Sequence, residues 1–558
     1  MDQGSPVDKI AHAYYRREWL RRPSNGSRAG LVEYDDRLEV PTADLIADEI
    51  ADLSATRQEL DNLSEPASDT TLWLDRQAFA AHLELEHLGL VDIQHWRTNP
   101  VEPLETALGA IFGLLMRRDV SKPETAEAIR RRLLAMPAFL DATRHRIEQP
   151  VQIWVVAARS TGHGAVDFLR EAIPELARSH PKLQTGLGQA ADAAIHSLAA
   201  YNQWLDSLDG RPLSDDPAVG EQVLGQIVRT SHGLPYTLEE IDEIAGREIE
   251  RITREMAELA RTVDSDRPWM QILEDHRQQF AARPHDLINE YRASTFGLRD
   301  RLVADGVLDL PPGETLEVIS TPNFLRPLIP SAAYSSPGPL DAIQRGIYYV
   351  SDPPPSLPPD EFRANLGQHF GFESTCAHEA YPGHHVQLCW ANQATSLARQ
   401  MAHHIIFMEG WTVYCEQLMV ELGYLATPLW ELDCLHSQLW RAHRIRIDVR
   451  LHTRRVSIRE AIDTLIREVG FTERRAQAEL NWYTQQPGTP MSYLLGRHET
   501  LGLRELYRSR HPGCTLREFH NWLLSFRGPR RVGRFALREE FQQILARAGG
   551  LAGLGGPA

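Results

Sequence analysis

The stretch Thr237–Val263, TLEEIDEIAGREIERITREMAELARTV, sets the character of the chain. Apolar side chains recur at Leu238, Ile241, Ala245, Ile249, Ile252, Met256 and Leu259, with charges between them. That three- and four-residue spacing predicts an amphipathic helix over 238–263. Thr237 followed by Glu239 and Glu240 is an N-terminal cap with early acids. The same texture runs through 41–62, 124–147, 164–206 and 271–303, and Ser121-Lys122-Pro123-Glu124 supplies a second start signal. No repeat of 20–50 residues emerges. Residues 1–303 therefore read as an N-terminal helical lobe.

The texture then changes. Residues 304–365 carry Pro311-Pro312, Pro322, Pro327, Pro330, Pro353-Pro354-Pro355 and Pro358-Pro359, with short β-like runs at Leu316–Thr321, Ala332–Ser335 and Gly346–Val350. A small sheet between proline-rich turns accounts for this segment. Helical patterning returns over 366–548, a C-terminal helical lobe, and Gly549–Ala558 is a glycine-rich tail expected to fray.

Composition narrows the function classes. The chain has 558 residues, 42% apolar and 24% charged, which is ordinary globular usage. The longest apolar stretch, Ala107–Met116, is too short to span a bilayer. The N-terminus carries charges where a signal peptide needs an apolar core, so a cytoplasmic location is expected. A net charge of −17 disfavours nucleic acid and anionic membrane as partners. Lys9, Lys122 and Lys182 are the only lysines, and the arginine-rich run Arg441–Arg475 reads as a solvated helix face, with a positive cleft wall as the rival reading. Five cysteines without CxxC spacing read as reduced, mostly buried thiols. Neither a phosphate loop nor a nucleotide fingerprint is present in a strand–helix context.

The chemistry concentrates in Thr375–Gln387, TCAHEAYPGHHVQ. A His-Glu pair followed by a further His is how a helix builds a zinc peptidase site, with two imidazoles on the metal at about 2.0–2.1 Å and the Glu as base. The usual second His stands at i+4, where this chain has Pro382. On a regular helix His384 lies about 240° around from His378, and His385 returns to the same face about 10 Å further along. Two of these histidines share an ion only if the helix deforms. Pro382 and Gly383 supply the means, through a π-bulge-like widening. Deformation by two residues is easier than by three, which favours His384 over His385. The candidate third ligand is Glu409 in FMEGWTVYCE, 25 residues after His384. Glu416, two turns beyond Glu409, is either its outer partner or a surface acid. Tyr493 follows a Pro-Gly turn and could donate to an oxyanion. His452 is a second candidate helper, and Asp448 stands at i−4 to pair with it.

HEAYPGHHVQ followed by EGWTVYCEQL resembles the bacterial DUF885 family, whose pattern reads roughly HE-x-x-PGH-x-x-Q and then EGW. The likeness extends over most of the chain, from Tyr14–Pro23 through the proline-rich region to Gln486–Gly496, QPGTPMSYLLG. The family is similar to mostly helical zinc peptidases of the neurolysin and angiotensin-converting-enzyme type. The resemblance implies zinc on His378, His384 and Glu409, with Glu379 as general base.

The expected protein is mainly α, a two-lobed helical, zincin-like architecture with a small β element near the cleft and Zn2+ at its floor. Its expected activity is hydrolysis of a peptide by activated water. Glu379 is the base and Tyr493 holds the oxyanion beside the metal. An extended substrate could pair with 331–335 or 316–321 as an edge strand. The rivals are a hydrolase of a non-peptide amide or ester, and a catalytically silent, metal-stabilised binding protein. Retention of Glu379 argues against the second. Oligomeric state and substrate identity are not encoded legibly.

Overall fold

The computed structural model describes residues 5–41, 44–63, 70–322, 325–326, 329, 331–401 and 404–525. The expected helical continuation over 526–548 and the tail Gly549–Ala558 lie outside these residues, as do Pro327 and Pro330 of the proline-rich segment. The protein is mainly helical with one three-stranded sheet. The helix Leu238–Val263 forms over the span its periodicity predicts, and Thr237 and Glu240 close a reciprocal capping box at its start. The 164–206 stretch resolves into two helices, Gln152–Ser179 and Gln184–Asp206.

The sheet comprises β1 (Thr315–Ser320), β2 (Ala332–Ser335) and β3 (Arg345–Val350), in the order β1-β3-β2. β3 runs parallel to β1 and antiparallel to β2. Side chains alternate between faces along a strand, and here the alternation sorts two cores. Ile347 and Tyr349 join the apolar cluster of the helices between Val101 and Leu208, whereas Tyr348 and Val350 join the cluster formed by residues between Leu287 and Leu524. The central strand is thus covered on both faces, which is why IYYV is an unbroken apolar run.

The core does not divide at residue 303. Leu238, Ile241, Ile252 and Met256 pack with Ile406, Val413, Leu439 and Leu494, so helices from before the sheet share a core with those after it. No helix among the described residues is long and apolar enough to cross a membrane.

Candidate metal centre

The helix Phe372–Glu379 stops one residue after His378, and a new helix, His384–Asn392, begins with the second histidine. The expected bulge within one helix is instead a break between two. Pro382 has no N–H to continue the ladder. Gly383 passes so close to the end of the first helix that a Cβ there would lie 1.8 Å from the His378 carbonyl oxygen and 2.4 Å from that of Ala377. Only a residue without a side chain allows this approach. The break swings His384 back beside His378, with ring centroids 5.0 Å apart and edge-to-face.

Glu409 completes the group. Its Oε2 lies 3.7 Å from His378 Nε2 and 3.6 Å from His384 Nε2, and one ligand atom from each of the three residues lies within 4.8 Å of the others. Tetrahedral ligands at zinc–ligand distances of about 2.0–2.1 Å stand roughly 3.3–3.4 Å from one another, so this donor set fits a zinc ion with small adjustments. His385 points elsewhere. It is fully buried, its Nε2 donates to Glu314 and its Nδ1 accepts from the Tyr334 hydroxyl. That commits it to the sheet side, where Tyr381 also donates to Glu314.

Glu416 is not a surface acid. It is 3% exposed and accepts from His378 Nδ1 at 2.6 Å, while Arg441 donates to both its oxygens at 3.1 and 2.9 Å. With the proton on Nδ1, His378 presents the Nε2 lone pair toward Glu409. Burial opposes charge on His378, but the carboxylates of Glu409 and Glu416 beside it prevail and push it up to about 9. Glu409 is held well below the carboxylate range by the two imidazoles, against the cost of burial. The carboxylates around His378 therefore favour positive charge there, as a cation site requires.

The second half of the motif acts through packing. Trp411 donates its indole N–H to the Pro382 carbonyl at 2.9 Å, and Gln387 donates to the Phe407 carbonyl at 3.0 Å. These two bonds tie the His384 turn to the helix Ile405–Glu421 that carries Glu409. That helix crosses Thr489–Arg510 at a glycine pair: a Cβ on Gly410 would meet backbone atoms of Gly496 at 2.3 and 2.4 Å. Tyr493 lies three residues before Gly496 on the second of these helices, within electrostatic reach of Glu409. Its phenol is raised by burial first and then by the Glu409 carboxylate, with Glu379 contributing. Arg444 lies over the Tyr493 ring, 4.7 Å from its centroid.

The structure does not bring His452 to this group. Its ring is fully buried, with Nε2 donating to the Tyr483 carbonyl at 3.2 Å and Nδ1 accepting from the Val219 N–H at 3.5 Å. Burial pushes it down to about 4, so it is a neutral strut, and a catalytic role is withdrawn. Asp448 stands 3.6 Å from His452, but its carboxylate accepts from the Gly488 and Met491 N–H groups and anchors the start of the Tyr493 helix.

Sequence reasoning missed Arg441 and Arg444. Neither is on a solvated face: both are buried, and Arg444 donates to the Tyr483 hydroxyl and pairs with Glu479. The signal was present as Ser437, Arg441, Arg444, Asp448 and His452, a polar line at helical spacing on the helix Pro428–His452. Glu314 and Tyr334 carried no such signal.

The family described as "Bacterial protein of unknown function (DUF885)" matches residues 23–526. No curated protein matches the chain. A solved structure described as a "putative lipoprotein of unknown function" from Shewanella oneidensis is similar at 19% identity, with a TM-score of 0.76 over 96% of this chain and 100% of that one. A "putative lipoprotein" from Colwellia psychrerythraea is similar at 18% identity, with a TM-score of 0.77 over 97% and 100%. Identities this low show a shared fold. The family match reaches from the second helix to the last described one, and the chain therefore belongs to DUF885, a bacterial family of unknown function.

Proposed function

We propose that this protein is a zinc-dependent hydrolase that cleaves peptide bonds, built on a two-lobed, zincin-like helical plan. The observation that carries the reading is the convergence of His378, His384 and Glu409 beside Glu379 and Tyr493. Zn2+, bound by the first three, supplies Lewis-acid polarisation of a carbonyl and acidifies water. Glu379 sits on the last turn of the helix that presents His378. There it takes a proton from the attacking water and returns it to the departing amine nitrogen. Tyr493 donates its hydroxyl to the oxygen on which charge develops. Glu416 and Arg441 hold the His378 ring in the tautomer and orientation that leave Nε2 free. Three protein donors together with a carboxylate base would favour catalysis over a closed structural site. β1 and β2 are the outer strands of the sheet, and β2 offers main-chain pairing to an extended substrate.

Purified protein is expected to hold about one zinc per chain, and His378→Ala and Glu409→Ala to lose it. Glu379→Gln should keep zinc and lose turnover by about 10²–10⁴-fold, and Tyr493→Phe by about 10²–10³-fold. The measurement is digestion of a mixed peptide pool, with metal content read in parallel. Equal cleavage by wild type and Glu379→Gln overturns the mechanism, and absence of zinc from the wild type overturns the metal site.

A further inference from the structure

A cavity of about 410 Å3 opens at the N-terminal ends of the two helices that carry Glu409 and Tyr493, within the range of about 300–1,000 Å3 common for ligand sites. Two of its wall residues tie it to the chemistry. Ile405 begins the helix that carries Glu409 one turn on, and Thr489 begins the helix that carries Tyr493 one turn on. Residues four apart share a helix face and lie about 6 Å apart along the axis. Both walls thus place the cavity roughly two extended residues from the reacting groups, at about 3.3–3.6 Å per residue.

Its lining is net acidic, with burial pushing Glu102 and Glu105 up from the usual carboxylate range. Glu86, Glu102 and Glu105 line it. Arg22 lines it too: its guanidinium donates to Glu49 through Nε and Nη2 at 2.9 and 2.8 Å and also acts on Glu86 and Glu102, so three carboxylates share the cavity with one guanidinium. The lining imidazoles, His95 and His232, are driven down to about 4 by burial and add no positive charge. Three polar atoms on these walls are buried without a hydrogen-bond partner among the described residues: Glu102 Oε2, His95 Nε2 and His232 Nδ1. His232 is fully buried and its Nε2 donates to the Gly488 carbonyl, which leaves Nδ1 as an acceptor. Glu102 Oε2 is an acceptor as well. Buried acceptors without donors carry a desolvation cost that an incoming N–H group removes.

We propose that this cavity receives the part of a substrate about two residues from the bond that is cut, and that its carboxylates select a cation there. The cation is either an amino-terminal ammonium or the head group of a lysine or arginine side chain. The ammonium, or a guanidinium, donates to Glu102 Oε2 and His232 Nδ1, and the second and third carboxylates set the field that draws it in. This rests on the hydrolase reading for what enters the cavity, and it adds a preference for charge that the metal ligands do not supply.

The test separates the two. Binding of three fluorescently tagged peptides to zinc-loaded Glu379→Gln protein is measured: five alanines with a free amino terminus, the acetylated form, and the acetylated form with its first alanine replaced by lysine. A charged peptide should bind about 10- to 100-fold more tightly than the neutral one. That ratio should collapse on adding Glu102→Gln, and separately on adding the more exposed Glu105→Gln, which guards against a folding defect at the inner site. Preference for the free amino terminus assigns the cavity to the substrate's end, and preference for lysine assigns it to a side chain. Equal binding of all three, or a preference that survives both added substitutions, overturns the proposal. A charge preference in a wild type that cleaves none of the peptides keeps the cavity and refutes the hydrolase. Cleavage without a charge preference does the reverse.

Discussion

Gly410→Ala places a methyl group where two helix backbones touch. Its Cβ would lie 2.3 Å from the Gly496 carbonyl carbon and 2.4 Å from its Cα. Ordinary contact between such atoms is about 3.5–4.0 Å, so the helices Ile405–Glu421 and Thr489–Arg510 must part by roughly 1 Å. No side chain can rotate away, because both clashing atoms are backbone. The two helices carry Glu409 and Tyr493, so opening the crossing moves one relative to the other, and with it the proposed ligand relative to the proposed oxyanion donor. Overpacking of this kind costs about 1–3 kcal/mol of stability, and a misplacement of about 1 Å at a reacting centre costs about 10²-fold in rate. The assay combines thermal unfolding of the metal-free protein, a zinc dissociation constant from chelator competition, and peptide turnover. Lower melting, weaker zinc and slower turnover are expected together, and Gly496→Ala, whose Cβ would lie 2.0 Å from the Ile406 carbonyl oxygen, should do the same. A Gly410→Ala protein that melts and binds zinc like the wild type would falsify the idea that this crossing positions the site.

Glu416→Gln keeps an acceptor for His378 but leaves the buried Arg441 guanidinium without its counter-charge. Stability should fall by about 3–5 kcal/mol and zinc affinity by about 10- to 100-fold; unchanged affinity in chelator competition would remove Glu416 from the metal centre. His443 is buried, neither ring nitrogen has a hydrogen-bond partner among the described residues, and burial drives it down to about 4. Its folded value lies below the unfolded one of about 6.5, so the unfolded chain takes up a proton first as pH falls. The stability it permits is complete above about pH 6.5 and is lost toward pH 4. His443→Phe should therefore gain on the wild type by about 2 kcal/mol between pH 7 and pH 5, at about 1.4 kcal/mol per pH unit. Denaturant unfolding at the two pH values checks this, and a pH-independent difference would show that the imidazole is solvated or paired.

The sequence by itself determined the elements and pointed to the three residues that converge. Helical spacing located Leu238–Val263, and proline punctuation located all three strands to within one residue, because these signals are local. His378, His384 and Glu409 were legible because Pro382, Gly383 and the 25-residue gap constrain short stretches of chain. Tertiary structure alone decided the rest. Periodicity reports that a helix face is buried, not what covers it. Glu416 looked like a surface acid because Arg441, its partner, arrives on the next helix, and the arginine run looked solvated for the same reason. His452 carried a plausible chemistry, but the Val219 and Tyr483 backbones occupy both its nitrogens. His385 and His384 are neighbours in sequence and face different partners, because the chain breaks before them and the new helix turns one ring to Glu409 and the other to Glu314. The contact of Gly410 with Gly496 spans 86 residues, and no local signal encodes which two glycines will meet. Long-range packing fixed those distances, and the chemistry follows from them.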